Sequence, residues 1–198
     1  MISATLILAS ACGGDDADGV AGEGRYAGEQ DVGAVLGEAV GSQASGSPEP
    51  VDLALTPSVP STAGVSNDAC GVPTTFEASN LVDDRHDTAW RMSGDASGQS
   101  ITLTLDGSYR VLELGLVPGY AKVDPCDGAD RFVQNRRPTV VSWIFDDGSS
   151  LSQTLTDQAE LQSVAADVTT ATVVLRIDGV TGAERDFTAI SEISVRGV

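Results

Sequence analysis

From Thr74 to the last residue, apolar side chains recur at every second position, the period of a strand covered on one face. Ile101, Leu103 and Leu105 alternate with Thr102 and Thr104, and Leu112, Leu114 and Leu116 flank Glu113 and Gly115, so two separate strands are expected. Val141, Trp143 and Phe145 repeat the pattern; Asp146, Asp147 and Gly148 make a turn, and Leu151 to Leu155 return, which reads as a hairpin. Val173, Leu175 and Ile177 form a further strand ending near Asp178 and Gly179. In a last strand from Ala189 to Val195, strict alternation puts Ile193 and Val195 on one face and Ile190, Glu192 and Ser194 on the other. Helix is expected only as a turn between Asp157 and Val164. About eight short strands punctuated by turn residues predict an all-β, antiparallel sandwich.

The alternation is missing from the N-terminal third. Residues 13–68 are dominated by Gly, Ala, Ser, Pro and acids, and of the nine aromatic residues only Tyr26 lies there. Ala34, Val35, Leu36 and Val40 favour a helical turn, but Gly33, Gly37 and Gly41 cut it short. Such a stretch buries too little apolar area to offset its ordering entropy, so a disordered acidic linker is expected over 12–69, with the folded domain at 70–198. Before it, residues 1–11, MISATLILASA, form a short apolar segment ending in small residues directly before Cys12. Ala9, Ser10 and Ala11 resemble a lipobox. That likeness implies a bacterial lipoprotein signal peptide, with acyl chains on Cys12 and a location in the cell envelope, extracytoplasmic and lipid-anchored to a membrane. A plain secretory signal is the alternative. With Cys12 acylated, Cys70 and Cys126 remain as an even pair in an oxidising compartment. They either form a disulfide, contributing up to about 4 kcal/mol by loop entropy, or stay as two thiols.

Charge narrows the function classes. The chain carries 11 Lys plus Arg against 29 Asp plus Glu, a net charge of −18, so it would repel a nucleic acid over most of its surface. No run of about 20 apolar residues is present to span a bilayer as a helix. One His and three widely separated Cys do not supply the ligands of a zinc site. Catalysis by a nucleophile–imidazole pair would rest on His86 alone. Asp84 and Asp87 could orient its ring, but the sequence has no nucleophile elbow and no phosphate loop. His86 is therefore expected to be an exposed loop residue, and no enzyme is expected.

The segment Asn80-Leu81-Val82-Asp83-Asp84-Arg85-His86-Asp87-Thr88-Ala89-Trp90 resembles the early loop of discoidin-like modules, also called coagulation-factor type C domains, where N-x-x-D-G-x-x-x-T-x-W leads into a strand. Ile190-Ser191-Glu192-Ile193 is similar to their final strand. Gly119-Tyr120-Ala121-Lys122 and the later Asn135-Arg136 resemble the GY-x-K and N-x-R marks of a bacterial branch, the NADase-type glycan-binding domains. The resemblance covers about residues 70–198 and implies an eight-stranded jelly roll that binds ligands without chemistry. It also implies a structural calcium ion (Ca2+) on Asp83, the carbonyl of Arg85, Thr88 and Glu192, all hard oxygen donors. Asp84 stands where the family has Gly. The alternative is that Asp83 and Thr88 only satisfy loop amides. Trp90 is expected to anchor the core below the loop.

The connection from Val117 to Pro138 is long enough to suggest recognition. Tyr120 can stack on a sugar face, and Lys122, Arg131, Asn135 and Arg136 offer donors to hydroxyls or to a carboxylate on an acidic sugar. Alternatively the interleaved Asp124, Asp127 and Asp130 pair with these cations and with Arg137 internally. The expected function is a non-catalytic, surface-tethered binding module for a carbohydrate (glycan) or another extracytoplasmic ligand. The alternative is a protein-interaction or structural module with an envelope protein as partner.

Overall fold

The computed structural model describes residues 48–198. The signal segment, Cys12 and the linker up to residue 47 lie outside the described residues. Eleven strands follow one another: β1 (Val51–Asp52), β2 (Leu55–Ser58), β3 (Ser66–Asn67), β4 (Pro73–Thr74), β5 (Trp90–Ser93), β6 (Ser100–Pro118), β7 (Asn135–Arg136), β8 (Pro138–Phe145), β9 (Ser150–Thr154), β10 (Gln162–Val180) and β11 (Arg185–Gly197). A 3₁₀ turn, Ala78–Leu81, precedes β5, and one helical turn, α1 (Arg131–Gln134), precedes β7. Nine strands form one sheet in the order β1-β11-β6-β10-β8-β9, with β2 also on β6 and with β5 and β7 also on β11; β3 and β4 pair separately. All these pairings are antiparallel except β7 with β11. The domain is an all-β, antiparallel sandwich closed on one core, as expected.

Two ribbons build both layers. β6 and β10 are each 19 residues long, which if straight would reach roughly 60 Å, well beyond the width of a compact domain this size. They bend together where their register shifts, between Ala165 and Val168 and between Thr170 and Thr172. The first half of β6 pairs with β2 and the end of β10, and its second half pairs with β11 and the start of β10. The two strands expected around residues 101–105 and 112–116 are thus halves of one bent strand.

Between the layers lie Ile101, Leu103, Leu114, Leu116, Val141, Trp143, Val173, Leu175, Ile177 and Val195, the alternating positions read from the sequence. Trp90 is fully buried among them and its indole N–H donates to the Ser61 carbonyl at 3.0 Å, so it is the expected anchor. The β8–β9 hairpin turns at Asp146–Gly148 as expected.

Four further expectations need correction. Ile190 lies in the core with Ile193, because the β11–β6 register shifts between Ile190 and Glu192 and a bulge reverses the side-chain alternation. A second shift, between Arg196 and Gly197, lies opposite Leu112 and puts Val111 into the core while Leu112 stays half-buried. The helical turn between Asp157 and Val164 is instead a loop running into β10, whose alternating Val164, Ala166 and Val168 pack on the core. The linker boundary at 69 falls too late: Leu53, Leu55 and Val59 pack on the core, and β1 and β2 close sheet edges.

Candidate functional site

Two loop regions at the ends of β5 and β11 concentrate the charged groups. The first is the turn from Val82 to Ala89. Its base is closed by the Asn80 amide, which donates to the carbonyls of Thr75 and Ala89 at 3.2 and 3.0 Å. Asp84 takes a left-handed conformation (φ 57°), alone among the non-glycine residues described, at the position where glycine would be usual. That twist turns the chain back so that Thr88 Oγ1 lies 2.9 and 3.0 Å from the two Asp83 oxygens and 3.0 Å from the Arg85 carbonyl. That hydroxyl proton and the Arg85 amide, which donates to Asp83 Oδ1 at 3.1 Å, are two donors for three acceptors, which leaves an excess of oxygen. Glu192 of β11 is 6% exposed, and its Oε2 has no partner among the described residues. Burial first, then the charges of Asp83 and Asp84, push its carboxyl up to about 7. The donors are all oxygen and negatively biased, the chemistry a hard divalent cation takes.

His86 sits exposed on this turn and makes no hydrogen bond among the described residues. It borders a cavity of about 580 Å³ together with Leu53, Val82, Glu192 and Ile193.

The second region is the connection after β6. Cys70 and Cys126 form the disulfide, with Cα atoms 5.6 Å apart, and join this connection to the segment before β4. Asp124, 1% exposed, accepts from Arg131 at 2.7 Å and from the amides of Cys126 and Ala69, which hold its carboxyl well below the usual range. Arg131 also reaches Asp127 (3.2 Å) and Gln134 (2.8 Å). Asp130 caps α1 through the Phe132 amide rather than pairing with a cation. Asn135 is fully buried and donates to the Arg131 carbonyl. Arg136 pairs with Asp186 at 2.9 Å, Arg137 with Asp157, and Lys122 with Asp68 at 3.9 Å. Gly119 has φ 77°, and a Cβ there would stand 2.8 Å from the Phe132 ring, so the turn into Tyr120 requires glycine.

A cleft of about 200 Å³ opens between this connection and β3–β4. Of the residues expected to contact ligand, it gathers Tyr120, Lys122 and Arg131; Asn135 and Arg136 lie outside its lining. Tyr120 is 4% exposed and meets Phe76 edge-on, so its ring is packed rather than presented as a platform. The cleft also holds two cations that the sequence reading passed over, Arg91 and Arg185. Arg91 follows the core tryptophan in a strand, so alternation sends it away from the core. What alternation does not show is that Phe76 and Phe187 cover that second face, with ring centroids 3.7 and 4.2 Å from the guanidinium carbon.

A family model described as the NAD glycohydrolase translocation F5/8 type C domain matches residues 59–196. The chain belongs to this family. The match begins within the expected linker and runs to the end of β11, in agreement with the early start of the sheet. No curated protein is similar enough to count as a match. Among solved structures, the family 32 carbohydrate-binding module (CBM32) of NanJ from C. perfringens, in complex with galactose, is 19% identical, covering 74% of this chain and 99% of that one at a TM-score of 0.51. CBM32 of AlyQ, in complex with 4,5-unsaturated mannuronic acid, is 18% identical, covering 75% and 98% at 0.50. A truncated AlyQ with CBM32 and alginate lyase domains is 17% identical at 0.52, covering 76% of this chain; the F5/8 type C chain spans only 34% of its length. At these identities the likeness establishes the fold.

Proposed function

We propose that this F5/8 type C domain is a non-catalytic carbohydrate-binding module and that the cleft beside Tyr120 is its recognition site. The observation that carries the reading is the cleft's construction. A disulfide stiffens one wall, and stiffness lowers the entropy lost on binding. Lys122 with Asp68 and Arg131 with Asp127 line the cleft as neighbouring donor and acceptor pairs, which offer both kinds of hydrogen bond to a polyhydroxylated ring. The family likeness to modules solved with sugars points the same way.

The turn from Asp83 to Thr88, closed by Glu192, is proposed to hold calcium as a structural ion, fixing the loop rather than reacting. The lipobox-like residues before Cys12 support attachment to the outer face of a bacterial membrane through acyl chains.

Titration calorimetry against a panel of neutral and acidic oligosaccharides tests the module. Saturable binding lost in Lys122→Ala is the expected result; absence of binding to every saccharide overturns it. The family description names translocation, which favours a second reading, docking of a secreted protein partner. Capture of a partner that survives excess saccharide would support that reading instead.

A further inference from the structure

Arg91 is in an unusual state for a buried guanidinium. It is 5% exposed, and among the described residues its Nε has no hydrogen-bond partner, no guanidinium nitrogen donates to an acceptor and no carboxylate pairs with it. Its two flat faces are occupied by Phe76 and Phe187, which leaves only its nitrogen-bearing edge for a polar partner. A buried cation without an anion is costly, and burial together with the neighbouring charge of Arg185 pulls this guanidinium down to about 10. Arg185, exposed at the start of β11, likewise has no ion pair among the described residues. The other cations of the cleft differ: Arg131 is neutralised by Asp124 and Asp127, and Lys122 stands near Asp68. The vacancy in the charge pattern is therefore specific to Arg91 and Arg185.

Resting on the carbohydrate reading above, we infer that this cleft binds an acidic sugar by its carboxylate, with the guanidinium of Arg91 as the anchor and Arg185 as the second cation. A carboxylate matches the planar fork of a guanidinium in bidentate fashion. A monoanion suits the site better than a phosphate dianion, because Asp68, Asp124 and Asp127 line the same cleft and repel the second charge. Asp68 and Asp127, with the Tyr120 hydroxyl, supply partners for ring hydroxyls. At about 200 Å³ the cleft is smaller than the roughly 300–1,000 Å³ of drug-sized sites, which limits it to one ring or one chain end.

The test uses the full chain and two matched probes, oligogalacturonate and its methyl ester, which share every hydroxyl and differ only in charge. Calorimetry is expected to show the free acid binding at least about tenfold tighter than the ester, with an advantage that shrinks as salt is raised. Arg91→Gln is expected to abolish the preference for the acid. Because that side chain is packed between two rings, the exposed Arg185→Gln, with an unchanged melting temperature, serves as the second variant and is expected to weaken the acid several-fold while sparing the ester. Equal binding of acid and ester overturns the inference and leaves the carbohydrate reading intact. Binding of neither probe, nor of any saccharide, overturns both. Inorganic phosphate displacing the acid at lower concentration than acetate overturns the assignment to a carboxylate.

Discussion

The turn around Asp83 and the cleft around Arg91 lie on either side of the same short strand, and they are electrostatic opposites. The turn gathers oxygen atoms and a buried carboxyl, Glu192, whose Oε2 has no partner among the described residues; the cleft buries a guanidinium whose Nε has none either. The other described cations, Arg185 apart, are paired with carboxylates, as Arg131 is with Asp124 and Arg137 with Asp157. The contrast teaches that net charge, −18 for the chain, says little about which ligand a given spot will accept.

A change beneath both regions should abolish the difference between them. Trp90 links Thr88 of the turn to Arg91 of the cleft, and Trp90→Ala is expected to cost about 3–5 kcal/mol in urea denaturation and to impair both sites. Retained stability would mean that the two sites do not share this base. Reducing the Cys70–Cys126 bridge, or replacing both cysteines by serine, is expected to cost about 2–4 kcal/mol and to weaken saccharide binding. Any calcium-induced rise in melting temperature should survive it, because the bridge holds the cleft and leaves the turn alone.

Calcium itself sharpens the comparison. At a hundredfold excess over its dissociation constant it should add about 2.7 kcal/mol to wild type and nothing to Glu192→Gln. No shift in wild type at millimolar calcium would remove the metal from the turn. A smaller effect follows from pH in chelator-treated protein. Glu192 has a folded value of about 7, above its ordinary 4.5, so the folded state holds its proton more tightly than the unfolded chain. Its contribution is fully present below about pH 4.5 and is lost as pH rises through 7. Glu192→Gln should flatten that part of the profile, and a wild-type profile with no slope between these values would contradict the carboxyl's burial. Least affected of all should be His86→Ala, within about 0.5 kcal/mol and without change in either ligand's binding.

Alternation made the sandwich legible because its core strands obey a period of two: Ile101, Leu103, Trp143, Leu175 and Ile177 are all buried where that period puts them. Counting cysteines left a disulfide as one of two outcomes, and the oxygen-rich turn came from the resemblance of the segment around Asp83 and Thr88 to the early loop of discoidin-like modules. The bulges at Ile190–Glu192 and opposite Leu112 were not legible, since register is a property of two strands and only one is visible at a time. Arg91 was missed for a related reason. Its position away from the core followed from Trp90, but the cover over that face comes from Phe76 and Phe187, distant in sequence and brought together only by β11 pairing with β5. The early strands β1 and β2 were hidden by composition: the Pro and Ser residues around Leu53, Leu55 and Val59 outweighed three well-spaced apolar side chains.

The bulge in β11 gives three consecutive residues three separate employments. Ile190 fills the core; the Ser191 hydroxyl, donating to the Gly119 carbonyl at 3.1 Å and accepting from the Ala121 amide at 2.9 Å, fastens the chain entering Tyr120; Glu192 closes the turn. Excising any one of the three would leave the chemistry of the chain almost unaltered yet slide every later side chain by one step. Ile193 would then be turned out to water, and both loops would lose their fastening to the sheet.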